Sequence, residues 1–348
     1  MPFHNFQKLH GKLQHVCQIL PSLKGFMTPL NAQLKLNRPT VSLGKKSELR
    51  EIIEQSIAMI DDLESRPTHA LELAAFTLPH SYGYDDSSAE GAGGVWLPCT
   101  TNDFHPIVWR LLWPADIQKE VRDHHGKITN SDVELAAVFL AMWVLFSITN
   151  MKHQSSFLGS DNMPTVSWST RMSTKSPSKI PDRFLRLMAC LQRGNQAGPT
   201  DVTYQEGKTN KMADFSSRSW TENKFPDNHA FITEFNSRFP LPAPFTQWHQ
   251  VHIPPKVAEI TISILRNKPL ETTLLKQTLT GVGGLNSAKT TQKTSGCAPC
   301  RETTPPLAAD AKKPSWPLVN ASGVVDGTTE SVLVARRSKE RYANLHSS

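Results

Sequence analysis

At 348 residues, with 38% hydrophobic and 20% charged residues, the chain has room for one large domain or two ordinary ones plus tails. Its 38 Lys+Arg against 31 Asp+Glu give a formal net charge of +7, a mild bias toward a polyanionic partner such as nucleic acid. The odd set of cysteines, Cys17, Cys99, Cys190, Cys297 and Cys300, argues against a disulfide scaffold.

In chain order, the opening MPFHNFQKLHGKLQH has no uninterrupted apolar stretch and no small-residue cleavage site, so it does not read as a secretory signal. The longest apolar run, Leu135 to Ile148, is short for a bilayer span. The expectation is an intracellular protein, cytoplasmic or nuclear, with no membrane partner. Residues 1 to about 45 mix helical apolar spacing with breaks at Pro21, Gly25 and Pro29. The stretch SELREIIEQSIAMIDDLES, Ser47 to Ser65, sets Leu49, Ile52, Ile53, Ile57, Ile60 and Leu63 at helical spacing and predicts an amphipathic helix that ends before Pro67.

Between residues 68 and 220 the pattern turns to mixed α/β. Extended segments are expected at FTLPHSYGYDD, AGGVWLP, HPIVWRLLW, SSFLGSD and PTDVTYQEG. A helix from about Ser131 to Asn150, with Asn130 or Ser131 as N-cap, is apolar almost all round and predicts burial against a sheet. Helical stretches are also expected at PDRFLRLMACLQRG and KTNKMADFSSRSW. The sum is a mixed five-stranded sheet with packed helices. Residues 221–280 read as a partly helical extension, with helices around Ala230 to Ser237 and Lys256 to Leu265, and residues 281–348 as a disordered tail.

The stretch YGYDDSSAEGAGGVW, Tyr82 to Trp96, poses a choice between a polymerase metal motif and the first strand of a nuclease. Only 81 residues precede Tyr82 and none of them supplies a further polymerase metal motif, so the nuclease strand is preferred. Four acids then stand at the ends of successive elements: Asp86 ends the first strand, Glu134 sits in the first turn of the buried helix, Asp161 ends the fourth strand, and Asp214 lies in the last short helix. Taken singly, each has a plain structural use as a turn residue, helix-dipole partner, cap or solvated residue. Together, crowded oxygen ligands repel one another unless cations neutralise them, which is the chemistry of a two-metal phosphodiesterase. Strand alternation gives Asp86 the face of Tyr84, and Asp85 is expected to point outward, away from the site.

The segments DSSAEGAGGVW, SDVELAAVFLA, LGSDNMPTVSW and NKMADFSSR resemble, in order, the four acidic motifs of the RNase H domain carried by retrotransposon reverse transcriptases, closest to gypsy-like and DIRS-like elements. The resemblance covers about residues 70 to 220. FQKLHGKLQHVCQILPSLKGFMTPLNAQL also looks like the stretch that follows the polymerase palm, which implies that residues 1–66 are a residual thumb- or connection-like end of the polymerase and residues 68–220 the RNase H-like domain. Carried over, Asp86, Glu134, Asp161 and Asp214 are catalytic metal ligands for two Mg2+ ions, with Mn2+ as a substitute, acting on the RNA strand of an RNA/DNA hybrid. The polymerase part of the same element is the implied protein partner. Asn162 and Asn210 match polar positions of the motifs and are carried as substrate contacts, with capping and turn formation as the plainer use. Many enzymes of this kind have a mobile histidine near the fourth acid; here none lies between His153 and His229, and Lys208 or Lys211 is the nearest substitute.

Arg171, Lys175, Lys179, Arg183, Arg186 and Arg193 form a basic stretch that can follow a duplex backbone or simply make a solvated face. Arg171, Lys175 and Lys179 are taken as substrate-binding. The CAPC at Cys297 to Cys300 lacks a second ligand pair, His124 and His125 read as an exposed turn, and ARRSKER near the end as a charged tail or nucleic-acid patch.

Overall fold

The computed structural model describes residues 1–283 except 37, 45, 46, 75–77, 101, 102, 124, 125, 175–177 and 221–224. Lys175, His124, His125, the CAPC pair, ARRSKER and the tail from residue 284 onward lie outside the described residues.

Three helices lead the chain: α1 (Phe3–Ile19), α2 (Lys24–Lys35) and α3 (Glu48–Ser65), followed by one short turn, α4 (Ala70–Leu73). A hairpin and its extension then supply β1 (Ser81–Ser87), β2 (Gly91–Pro98) and β3 (Ile107–Leu112). The sheet is continued by β4 (Ser156–Ser160), β5 (Thr200–Tyr204) and β6 (His249–His252). Among the described residues the order is β5-β4-β1-β2-β3-β6. β1, β2 and β3 pair antiparallel, while β4 pairs parallel to β1, β5 parallel to β4 and β6 parallel to β3. The architecture is α/β with a six-stranded mixed sheet. Five strands fall on the segments read as extended; β6 does not, because its polar residues at a sheet edge carry little of the alternation that marks a half-buried strand.

Both faces of the central strands are covered, and the alternation of side chains sorts the residues between them. Trp96 and Trp109 enter the larger core cluster, shared with the helix α6 (Asn130–Ile148). Val95 and Val108, their chain neighbours, enter a second cluster with Phe231, Phe235 and Trp248. The second face is closed by α9 (Lys211–Ser217) and α10 (Asn228–Arg238). The remaining helices are α5 (Ala115–Arg122), α7 (Met163–Arg171), α8 (Lys179–Gly194), α11 (Pro255–Leu265) and α12 (Thr272–Thr278).

α6 is long and apolar enough, by length and composition alone, to cross a membrane, but 83% of that window is buried inside the fold. Its N-cap is Thr129, one residue before the expected Asn130 or Ser131. Thr129 forms a reciprocal capping box with Asp132, whose Oδ2 accepts from the Thr129 amide at 2.8 Å. Asp132 thus takes the capping task and leaves Glu134, one half-turn on, for other work.

Residues 1–66 have no core of their own. Phe6, Leu30 and Ile52 belong to the same buried cluster as Phe139 on α6 and Leu187 on α8, so a division near residue 67 runs through shared packing. Charge fastens the same seam. Arg193 on α8 reaches Asp62 at 2.7 Å and Glu72 at 3.0 Å, and Arg183 reaches Glu48 at 3.0 Å. Lys179 adds a longer pair to Glu48 at 3.4 Å.

Candidate metal centre

Asp86 is the penultimate residue of β1 and is 3% exposed. β4 runs parallel beside β1, so Asp161, the residue after β4, emerges at the same end of the sheet. The capping box starts α6 over this end, and Glu134 turns back to β1, where its Oε2 accepts from the Ser87 amide at 3.1 Å. One carboxylate oxygen from each of Asp86, Glu134 and Asp161 lies within 4.8 Å of the others. Asp86 and Glu134 are buried and Asp161 is half-buried.

The hairpin brings a further element to the site. A Cβ at Gly93 would lie 2.7 Å from the Ser217 amide nitrogen and 2.6 Å from the Ser216 carbonyl carbon, so α9 rests directly on β2 only because that position is glycine. The contact delivers Ser217, whose hydroxyl donates to Asp86 Oδ2. Ser88 in turn donates to the Ser217 carbonyl at 2.9 Å. Asn210, just before α9, donates to the Asp85 carbonyl at 2.8 Å and ties the α9 start to β1.

The other expected site residues divide. Asp214 is not one of the three gathered acids: it is about half exposed and paired with Arg218 at 2.5 Å. Asn162 caps α7, its Oδ1 accepting from the Thr165 amide at 3.0 Å, and Asp161 is not a cap. Asn210 is 2% exposed and serves the β1 backbone as described, so both asparagines have the plainer structural use, one as a cap and one as a tie between elements. Arg171 is exposed at the end of α7. The basic stretch as a whole is not an open phosphate-tracking face. Arg183, Arg186 and Arg193 are buried, at 3%, 2% and 7% exposure; Arg183, Arg193 and Lys179 pair with acids of α3, while Arg186 keeps its Nε and Nη1 unbonded among the described residues.

Asp85 does alternate with Asp86, but it does not point to solvent. β1 is an inner strand covered on both faces, and Asp85 is fully buried on the α6 side, with neither carboxylate oxygen bonded among the described residues. Burial first, then Asp86 and Asp161, pushes its carboxyl well above the usual carboxylate range. Glu134 is raised likewise by burial and then by Asp86, Asp85 and Asp161. Asp86 is pushed up to about 6, by burial before repulsion from Asp161 and Asp214, against the lowering effects of the Ser217 hydroxyl and Arg218. Asp161 is also raised, by burial and then by Asp214.

This is an all-oxygen donor set with excess negative charge, the composition that hard divalent cations select. Asp86, Glu134 and Asp161 therefore fit a metal ion. Sequence reasoning missed Ser217 and Arg218 as members of the site, although both stand in the SSR that follows Asp214 at helical spacing of three and four. No family model and no curated protein matches the chain.

Proposed function

We propose that the chain is a ribonuclease of the RNase H type, derived from a retroelement reverse transcriptase, which cleaves the RNA strand of RNA/DNA hybrids with Mg2+ or Mn2+. The observation that carries this reading is the convergence of Asp86, Glu134 and Asp161, from three different elements, at one end of a mixed sheet. These acids belong to the first three of the four motifs that carry the family resemblance, and the strand order around β1 suits an RNase H-like sheet extended by β6.

Bound divalent ions would supply charge neutralisation at a scissile phosphate and activation of water for in-line attack. The chain's own residues do the positioning. Asp86, Glu134 and Asp161 would hold the ions, Ser217 fixes the Asp86 carboxylate, and the Thr129–Asp132 box fixes the helix start from which Glu134 reaches. Asp214 would join as the fourth acid after leaving Arg218.

A second reading, a non-catalytic nucleic-acid-binding or spacer domain of a truncated polyprotein, draws on that same pair: Asp214 is engaged by Arg218 and stands outside the three-acid group. A labelled RNA/DNA hybrid incubated with Mg2+ and either wild type or Asp161→Asn decides between them. Cleavage by wild type and its loss in the variant supports the enzyme; no cleavage by either favours the second reading.

A further inference from the structure

The last turn of α9 is tethered to the acid cluster through Ser217, which bonds Asp86 and receives Ser88. The next residue, Arg218, is therefore held at the rim. Its side chain is 57% exposed and that of Asp214, its partner at 2.5 Å, is 47% exposed. An exposed pair four residues apart on a helix contributes little to stability, so separating it costs little. Arg183 and Arg193, by contrast, are buried and paired with acids of the seam.

Electrostatics set Arg218 apart as well. Its charge acts on both Asp86 and Asp161, and it feels Asp86, Glu134 and Asp214 in return. A guanidinium so placed is attracted to these acids while no cation stands among them. A divalent cation among those acids cancels that attraction, while the planar fork of donors remains suited to a phosphate.

We infer that Arg218 is a phosphate-binding residue of the site, held by Asp214 in this arrangement and transferred to a phosphodiester oxygen of a nucleic-acid strand when a divalent cation engages Asp214. Asp214 and Arg218 then work as one exchange: the acid is passed to the cation and the base to the substrate. The residue touches substrate, so its loss weakens binding of any sequence equally and removes one ionic contact.

The inference rests on the cation reading of Asp86, Glu134 and Asp161, and the experiment separates the two. Mn2+ binding is measured by calorimetry for wild type, Asp161→Asn, Arg218→Ala and Arg218→Lys. Binding of a labelled RNA/DNA hybrid to the same proteins is then followed by fluorescence anisotropy in Ca2+ across a KCl series, with circular dichroism as the folding control. Arg218→Ala should bind Mn2+ about 2- to 5-fold more tightly, because a competing cation is gone. It should bind the hybrid more weakly, with a slope of log affinity against log salt smaller by about 0.9. Arg218→Lys should keep the wild-type slope. An unchanged slope in Arg218→Ala overturns the inference even where Mn2+ binding stands. Equal Mn2+ binding by wild type and Asp161→Asn overturns the cation reading and the inference with it.

Discussion

Two of the regions that bury charge do so in opposite ways. Along α8, Arg183 and Arg193 are buried against acids of the N-terminal helices, so each cation has a partner. At the end of β1, Asp85, Asp86 and Glu134 are buried together with the same sign. The first arrangement closes on itself and joins helices. The second is costly in isolation, since like charges removed from water raise one another's energy. Opposite charges paired within the chain join helices here; like charges gathered at one strand end fit a cation from outside.

The contrast can be broken first at the seam. Arg193→Ala leaves the buried Glu72 without its ion-pair partner and Asp62 with Arg66 alone, and should cost about 3–5 kcal/mol of stability, read as a fall in denaturant midpoint. At the site, Asp161→Asn should cost little stability but lower hybrid cleavage by roughly 100-fold or more, a loss of at least about 2.7 kcal/mol in transition-state stabilisation. A comparable loss of stability in Asp161→Asn would erase the distinction between the regions.

Acid titration sharpens it further. The Asp86 carboxyl is raised to about 6 in the fold from 3.8, so between these values the folded chain keeps a proton that the unfolded chain has released. Without divalent cation, stability contributed by this group is full below about 4 and declines as pH rises to about 6. The slope for one such group reaches at most about 1.4 kcal/mol per pH unit. Urea unfolding at several pH values in EDTA should show that decline, and Mg2+ should reverse it above pH 6 by binding the ionised form. The smallest effect is expected at the exposed margin of the seam, where Lys179→Ala should change stability by no more than about 1 kcal/mol in thermal melts.

Much of the sheet was readable from the residues because β1 to β5 carry aromatic and β-branched residues bounded by Gly, Asn and Pro. β6 and α5 were missed for a shared reason: both are short and polar, and what fixes them is tertiary, pairing with β3 for one and burial of Ile117 for the other. The capping residue was misplaced by one because Asn130, Ser131 and Thr129 all suit the position, and only the reciprocal bond with Asp132 selects among them. Three acids of the site were placed correctly in a group, since strand ends and a helix start are visible in the pattern. Asp214 was harder: its partner stands one helical turn ahead, and an acid with a neighbouring base does not announce which of the two it will keep. Asp85 was misjudged because alternation gives the face of a residue but not whether that face is covered. The bases of α8 misled for a related reason. Spacings of four, three and seven from Lys179 to Arg193 put them on one helical side, and that side met α3 instead of solvent.

Gly93 has no functional group, yet the orientation of the Asp86 carboxylate passes through it by way of Ser217. A survey of this protein confined to reactive side chains would overlook the position. Under the proposed nuclease reading, a single methyl group added there would displace Ser217 from Asp86 while every acid stayed in place, so a loss of activity in a related chain need not show in the acidic motifs at all.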